Sequence, residues 1–121
     1  MSGRRLAVLA LVGALALAAC GASALASAEA DFKAGRYAEA KASFVELEPS
    51  YAKWKDSARG AEYCLYRGLT HAALGDRAAA ARWLAEAKSI EDSIPGSLSK
   101  DDKARLELGL SSVGPDVAPP P

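Results

Sequence analysis

The sequence predicts an all-α protein made of two helical hairpins and a C-terminal capping helix, and three observations support this. Alanine and leucine dominate the composition, whereas β-branched and aromatic residues are few, which favours helix over strand. Small residues recur three or four positions apart, a spacing that places them on one helix face. Gly35 and Gly75 stand where one helix can end and another begin. A chain of 121 residues with 50% apolar content suits one small domain.

The clearest hairpin is predicted at residues 61–74 and 76–90. Stripes of small side chains let two helix axes approach closely, and larger residues fill the space beside them. The small residues are Cys64, Gly68, Ala72, Ala80 and Ala87, and the large ones are Leu65, Leu69, Leu74, Trp83 and Leu84. Gly75 suits a left-handed helix end, and Asp76 can cap the second helix.

This hairpin resembles a tetratricopeptide repeat, which has a small residue in its first helix, a turn glycine, and a small–aromatic–small run in its second. The matching residues are Gly68, Gly75, Ala80 and Ala87, with Leu84 at the usual phenylalanine position and Cys64 at the usual tryptophan position. His71 and Arg77 replace two tyrosines, so the copy is degenerate. The resemblance implies a protein-binding fold in which the first helices of successive hairpins line a concave groove for peptides or extended partner segments.

A second copy precedes the first by 40 positions. Gly75 then corresponds to Gly35, Ala80 to Ala40, Leu84 to Phe44, Leu65 to Leu25 and Gly68 to Ala28. The family repeats about every 34 residues, so about six residues are extra, within 49–60. We therefore expect helices at 23–34 and 37–48, with Pro49-Ser50 ending the second. Residues 51–60 are predicted to form a linker that is partly helical, with Trp54 folded back onto the hairpin or exposed.

The same correspondence predicts which residues line the groove. They are Leu25, Phe32, Glu62, Leu65, Leu69 and Ala73. Two other readings stay open: the last helix fills the groove, or Leu65 and Leu69 simply belong to the core of a domain with little surface to bury. Tyr51 and Trp54, outside the repeat proper, are an alternative contact patch.

The C-terminal region is predicted to hold one more helix. Ser99 can cap it, and Asp101 and Asp102 in its first turn oppose the helix dipole. The helix should run to about Leu110 and cover the open end of the second hairpin, as repeat arrays require. Residues 113–121 are Pro-rich and predicted to be disordered, so the helical domain spans 20–112.

The N-terminal segment has the features of a bacterial signal peptide. Arg4 and Arg5 precede an apolar run at residues 6–19, which is shorter than a membrane span. The sequence at 17–21, Leu-Ala-Ala-Cys-Gly, resembles a lipobox. That resemblance implies removal of residues 1–19 and diacylation of Cys20, which becomes the new N-terminus.

Two alternatives to lipidation remain. Ala26-Ser27-Ala28 is an A-x-A site for the ordinary signal peptidase, and the uncharged stretch 6–28 could be an uncleaved anchor. Cleavage after Ala28 would remove most of the first predicted helix, whereas cleavage before Cys20 keeps it.

Catalytic chemistry has little support in the sequence. The single histidine, His71, lies inside a predicted helix at a position that the family fills with an aromatic residue, so we interpret it as structural. Cys64, the only cysteine besides Cys20, is predicted to be a small buried hydrophobe. There is no phosphate-binding glycine loop, zinc-ligand spacing or nucleophile motif, so neither cofactor nor metal is predicted. With 15 basic and 15 acidic residues, nothing indicates a nucleic-acid surface.

The sequence therefore predicts a non-enzymatic adaptor that is lipid-anchored in the bacterial cell envelope and holds an unidentified protein partner in an envelope assembly. Gly21 after the lipidated cysteine fits an outer-membrane location facing the periplasm, by analogy with enteric lipoproteins. With only two repeats, self-association is plausible. The alternatives are a freely secreted periplasmic binding protein cleaved after Ala28 and an enzyme subunit that uses His71 or Cys64.

Overall fold

The computed structural model describes residues 21–114, which form six helices and no strand. The all-α prediction is confirmed. The helices are α1 at residues 21–33, α2 at Tyr37–Glu46, α3 at Glu48–Trp54, α4 at Ala58–Ala73, α5 at Arg77–Ser93 and α6 at Lys100–Val113. The predicted signal peptide, Cys20 and residues 115–121 lie outside this range. Among the helices described, none combines the length and apolar character needed to cross a membrane.

Local sequence rules account for the turns and caps. Gly35 and Gly75 adopt φ angles of +80° and +83°, in the left-handed region that glycine tolerates. The Asp76 carboxylate accepts a hydrogen bond from the backbone N–H of Ala79 at 3.1 Å, which caps α5. The Ser99 hydroxyl caps α6 in the same way. These predicted helix ends are confirmed.

The segment between the hairpins differs from the prediction. Pro49 and Ser50 do not end a helix but lie in the first turn of α3, where the missing N–H of proline leaves no hydrogen bond unmade. A tight turn follows, in which the Ser57 hydroxyl donates to the Trp54 carbonyl at 2.6 Å and accepts from the Gly60 N–H at 3.2 Å. The extra residues therefore form a short helix and the cap of α4.

The last two helices run further than predicted. α5 ends at Ser93 rather than at residue 90, and α6 ends at Val113 rather than near Leu110. Val113 is only 3% exposed, and its carbonyl accepts a hydrogen bond from Arg77 at 2.6 Å. Val113 therefore belongs to the core, and assigning it to a disordered tail was wrong.

Three helices, α1, α4 and α6, lie side by side and run in the same direction. Phe32 of α1 contacts Tyr66 of α4, with 5.7 Å between the ring centroids. Tyr66 in turn donates a hydrogen bond to Asp102 of α6, and Leu69 lies beside Gly109 further along both helices. α2 and α5 pack behind this row, against α4 and, for α5, also against α6. α4 is therefore the central helix of the domain.

The two hairpins resemble each other in turn and burial. Buried residues occur in pairs 40 positions apart: Leu25 and Leu65, Ala28 and Gly68, Ala40 and Ala80, Phe44 and Leu84. α4 and α5 approach closely at Gly68, where an added Cβ would lie 2.7 Å from Leu84 Cγ. A Cβ at Gly109 would lie 3.1 Å from Leu84 Cδ1. Leu84 therefore fills a niche between two glycines, which joins α4, α5 and α6.

Candidate partner-binding face

The face formed by α1, α4 and α6 presents three of the six residues predicted to line a groove at its surface. Phe32 is half-buried between Tyr37 and Tyr66, at centroid distances of 5.6 Å and 5.7 Å. Glu62 is half-buried, and Ala73 is exposed at the end of α4. We call the surface of these three parallel helices the three-helix face.

The remaining predicted positions are not open to a partner. Leu25 and Leu65 are 4% and 0% exposed and lie in the hydrophobic core, so their prediction as groove contacts is corrected. Leu69 is half-buried against α6, since its Cδ2 would lie 3.0 Å from a Cβ at Gly109. α6 thus covers the Leu69 end of the face, whereas the end with Phe32 and Glu62 stays at the surface.

A buried carboxyl group, which the sequence did not single out, lies at this open end. Glu29 of α1 is 9% exposed, and its carboxyl group lies within hydrogen-bonding range of that of Glu62. Burial, together with the hydrogen bond and the repulsion from Glu62, raises the pKa of Glu29 to about 9, although Lys33 acts in the opposite direction. These effects favour the protonated form of Glu29.

The third helix contributes a polar group beside this pair. The Tyr66 hydroxyl donates to Asp102 Oδ1 at 2.6 Å, and Arg105 donates to the same oxygen at 3.0 Å. Lys33 lies over the Tyr66 ring, with Nζ 5.3 Å from the centroid. The open end therefore combines aromatic surface with converging carboxyl groups.

On the other side of α4, an aromatic cluster centred on Tyr63 joins the two hairpins. The Tyr63 ring stacks on Tyr51 at 4.7 Å, and Phe44 and Trp83 meet it edge-on. Its hydroxyl donates to the Phe44 carbonyl at 2.6 Å. Tyr51 is only 8% exposed and Trp54 is half-buried, so the predicted contact patch at these two residues is corrected: Tyr51 is part of the core.

Arg67 completes this cluster and was missed at the level of sequence. Its guanidinium lies 4.2 Å from the Trp83 ring centroid and donates to Glu48 and to the Tyr63 hydroxyl, each at 2.8 Å. The only sequence signal was its position four residues after Tyr63, which puts both side chains on one helix face. Arg67 therefore has a structural role between α3, α4 and α5.

The two candidate reactive residues are both buried. His71 is 5% exposed, and Nε2 accepts a long hydrogen bond of 3.4 Å from Arg67 Nε. Burial and the nearby Arg67 charge lower the pKa of His71. Cys64 is 0% exposed, and burial raises the pKa of its thiol to about 12, the opposite of what activates a nucleophilic cysteine. Between residues 21 and 114, no group of acidic, histidine or cysteine side chains is arranged to hold a metal ion.

One small cleft lies between α3 and α5, away from the three-helix face. Its volume is about 240 Å³, and it is lined by Tyr51, Lys55, Arg82, Trp83 and Glu86. Ligand pockets generally measure about 300–1,000 Å³, so this cleft is small for an organic cofactor.

Comparison with protein-family models, characterised proteins and solved structures finds no match to this chain. The function is therefore argued from the geometry of the described residues.

Proposed function

We propose that the chain is a tetratricopeptide-like adaptor without catalytic activity, which holds a protein partner against the three-helix face and is anchored in the bacterial envelope through a lipid on Cys20. The observation that carries the proposal is the parallel row of α1, α4 and α6, which presents Phe32, Glu62 and Ala73 at one surface. In the resembled family the first helices of the hairpins form such a row, and partner segments lie across it.

Burial in α1 supports cleavage before Cys20 over cleavage after Ala28. Leu25 and Ala28 are 4% and 0% exposed, so a chain beginning at Glu29 would lose both core residues and place a charged N-terminus on a buried residue. Cleavage before Cys20 keeps all of α1 from residue 21 onward. Two acyl chains on Cys20 would anchor the domain firmly, with α1 close to the lipid surface.

The anchor is tested by the mass and location of the mature protein in a bacterial host. We expect a mature N-terminus at Cys20 that carries a diacylglyceryl group, and membrane association that is lost in Cys20→Ala. Cys64→Ala is the matched control and should stay membrane-bound. A mature chain that begins at Glu29 in the soluble periplasmic fraction would show that the protein is the freely secreted alternative.

The binding face is tested by photo-crosslinking in native membranes. A photoreactive residue is placed at Ala73 on the three-helix face, and a matched control is placed at Ala52 on α3, since both side chains are exposed. We expect a crosslinked partner from position 73 and none from position 52. A product of twice the chain mass from position 73 would identify the partner as a second copy. Equal crosslinking from both positions, or crosslinking from position 52 alone, contradicts the proposal.

A further inference from the structure

We propose that Glu29 and Glu62 form a binding site for the lysine or arginine side chain of an extended partner segment that lies across α1 and α4. This inference rests on the proposed adaptor function, because it specifies the chemistry of the partner.

The two carboxyl groups face each other from adjacent parallel helices. Glu29 is only 9% exposed, and its Oε1 is buried without a hydrogen-bond donor among residues 21–114. A buried carboxyl oxygen without a donor is costly, so this atom is suited to accept a hydrogen bond from a ligand. Glu62 is half-buried and is the member of the pair that solvent reaches.

The cationic side chains nearby leave this pair without a salt bridge. Arg105 of α6 pairs with Asp102 at 3.0 Å, and Lys33 of α1 lies over the Tyr66 ring. In the described part of the chain, neither Glu29 nor Glu62 has a cation within salt-bridge distance. Asp102 adds a third negative charge that acts on Glu29. With all three carboxyl groups ionised, the group would carry one negative charge more than Lys33 and Arg105 balance, and a proton on Glu29 removes that excess.

The surroundings favour an organic cation over a metal ion. The acidic side chains of the described helices are not arranged as metal ligands. Phe32 is half-buried and packs on Tyr66, whose own ring is buried, so Phe32 is the aromatic ring that the aliphatic stem of a lysine or a guanidinium could contact. An ammonium or guanidinium donor would satisfy Glu29 Oε1 and take the place of its proton.

Binding of such a cation should therefore release a proton. Burial and the Glu62 carboxyl group favour the protonated form of Glu29 in the free protein, whereas a bound cation favours the carboxylate. The other titratable and charged groups that act on Glu29 are Glu62, Lys33, Asp102 and Tyr66. Proton release distinguishes binding at this carboxylate pair from binding in an apolar groove, because binding in an apolar groove would not depend on ionisation.

The test uses two peptide probes and the full mature chain. One probe is acetyl-Ala-Leu-Lys-Leu-Ala-amide, and the other has norleucine in place of lysine, which keeps the chain length and removes the charge. Calorimetry at pH 7.5 in two buffers of different ionisation enthalpy measures both the affinity and the protons released. We expect the lysine peptide to bind at least about tenfold more tightly and to release about one proton.

Three variants separate this site from general electrostatic attraction. Glu29→Gln and Glu62→Gln should abolish the preference for the lysine peptide, whereas Glu107→Gln, the same charge change at an exposed position of α6, should keep it. Lys33→Gln should tighten binding of the lysine peptide, because it removes a cation that faces the pair. Thermal unfolding of Glu29→Gln should show a folded domain, since the amide can still hydrogen bond to Glu62.

Several results would overturn the inference. These are equal binding of the two peptides, no lysine-peptide binding at millimolar concentration, no proton release, or an unchanged lysine preference in Glu29→Gln. The adaptor proposal is tested independently, by the crosslinking experiment. If position 73 crosslinks a partner and Glu29→Gln does not reduce that crosslinking, the adaptor proposal is supported and the cation site is refuted.

Discussion

The close approach of α4 and α5 at Gly68 leads to a sharp prediction for Gly68→Ala. The new methyl group would lie 2.7 Å from Leu84 Cγ, 2.8 Å from Leu84 Cδ2 and 3.1 Å from the Leu84 backbone nitrogen. The first two contacts can be relieved by a side-chain movement. The third can be relieved only if the helices separate, because the backbone of α5 is held by its own hydrogen bonds.

The expected size of the effect follows from two opposing contributions. Overpacking of a core position costs about 1–3 kcal/mol, and alanine is favoured over glycine inside a helix by about 1 kcal/mol. We expect a net loss of up to about 2 kcal/mol in the free energy of unfolding. For a domain of this size, that corresponds to a fall in Tm of up to about 16 °C.

Urea and thermal unfolding of four chains measure this effect and identify its cause. The chains are the wild type, Gly68→Ala, Leu84→Ala and the double variant. Leu84→Ala alone should cost about 2–5 kcal/mol by leaving a cavity. In the double variant the shortened side chain leaves room for the new methyl group, so the loss should be smaller than the sum by about 0.5–3 kcal/mol.

Gly35→Ala is the matched control for this cycle. A Cβ at Gly35 meets no atom within 4 Å, so its cost arises only from the left-handed φ of +80°. Its effect should add to that of Leu84→Ala without coupling. If Gly68→Ala is more stable than the wild type by the full helix-propensity gain of about 1 kcal/mol, or if its effect is additive with that of Leu84→Ala, the inferred close packing of α4 against α5 is wrong.

Three further predictions concern the buried polar residues of α4. Arg67→Met should lower the unfolding free energy by about 1–3 kcal/mol in urea titrations, because it removes a part-buried hydrogen-bond network. Glu48→Gln, which changes the solvent-exposed partner of Arg67, should cost less than about 1 kcal/mol. Equal losses in the two variants would contradict this prediction. The pKa of His71 in the folded protein lies below its unfolded value of 6.5. The contribution of the neutral His71 to the free energy of unfolding is therefore fully present above pH 6.5 and is lost as the pH falls through the lowered pKa. The difference in unfolding free energy between wild type and His71→Gln should therefore shrink as the pH is lowered below 6.5. A difference that stays constant over this pH range would refute the prediction. Cys64 should react slowly with a thiol reagent in the folded protein and fast in denaturant, because burial raises the pKa of its thiol to about 12. Rapid labelling of the native chain would contradict this prediction and show that the residue is accessible.

Much of the local structure was predictable because it depends on residues close in sequence. Gly35 and Gly75 adopt the left-handed φ that ends a helix, and Ser99 and Asp76 cap the helices that follow them. Their conformations are set within one helical turn, where backbone sterics and a single side-chain hydrogen bond decide the outcome. The all-α class followed for the same reason, since alanine and leucine favour helix wherever they stand.

The candidate site was predictable only in part, because burial depends on helices that are distant in sequence. Phe32 and Glu62 stay half-buried at the surface of α1 and α4, but Leu25 and Leu65 lie in the core. Glu29 gave no signal, since a single glutamate in an amphipathic helix usually faces solvent.

The sequence by itself therefore determined the all-α class and the left-handed turns at Gly35 and Gly75, but not the short helix α3 or the ends of α5 and α6. Only the tertiary structure decided which side chains those helices cover. Packing of α6 against α4 and α5 buried Val113 and half-buried Leu69, and the packing of α1 against α4 brought Glu29 to Glu62. The physical reason is that helix formation is governed by neighbouring residues, whereas desolvation and charge pairing arise where separate helices meet.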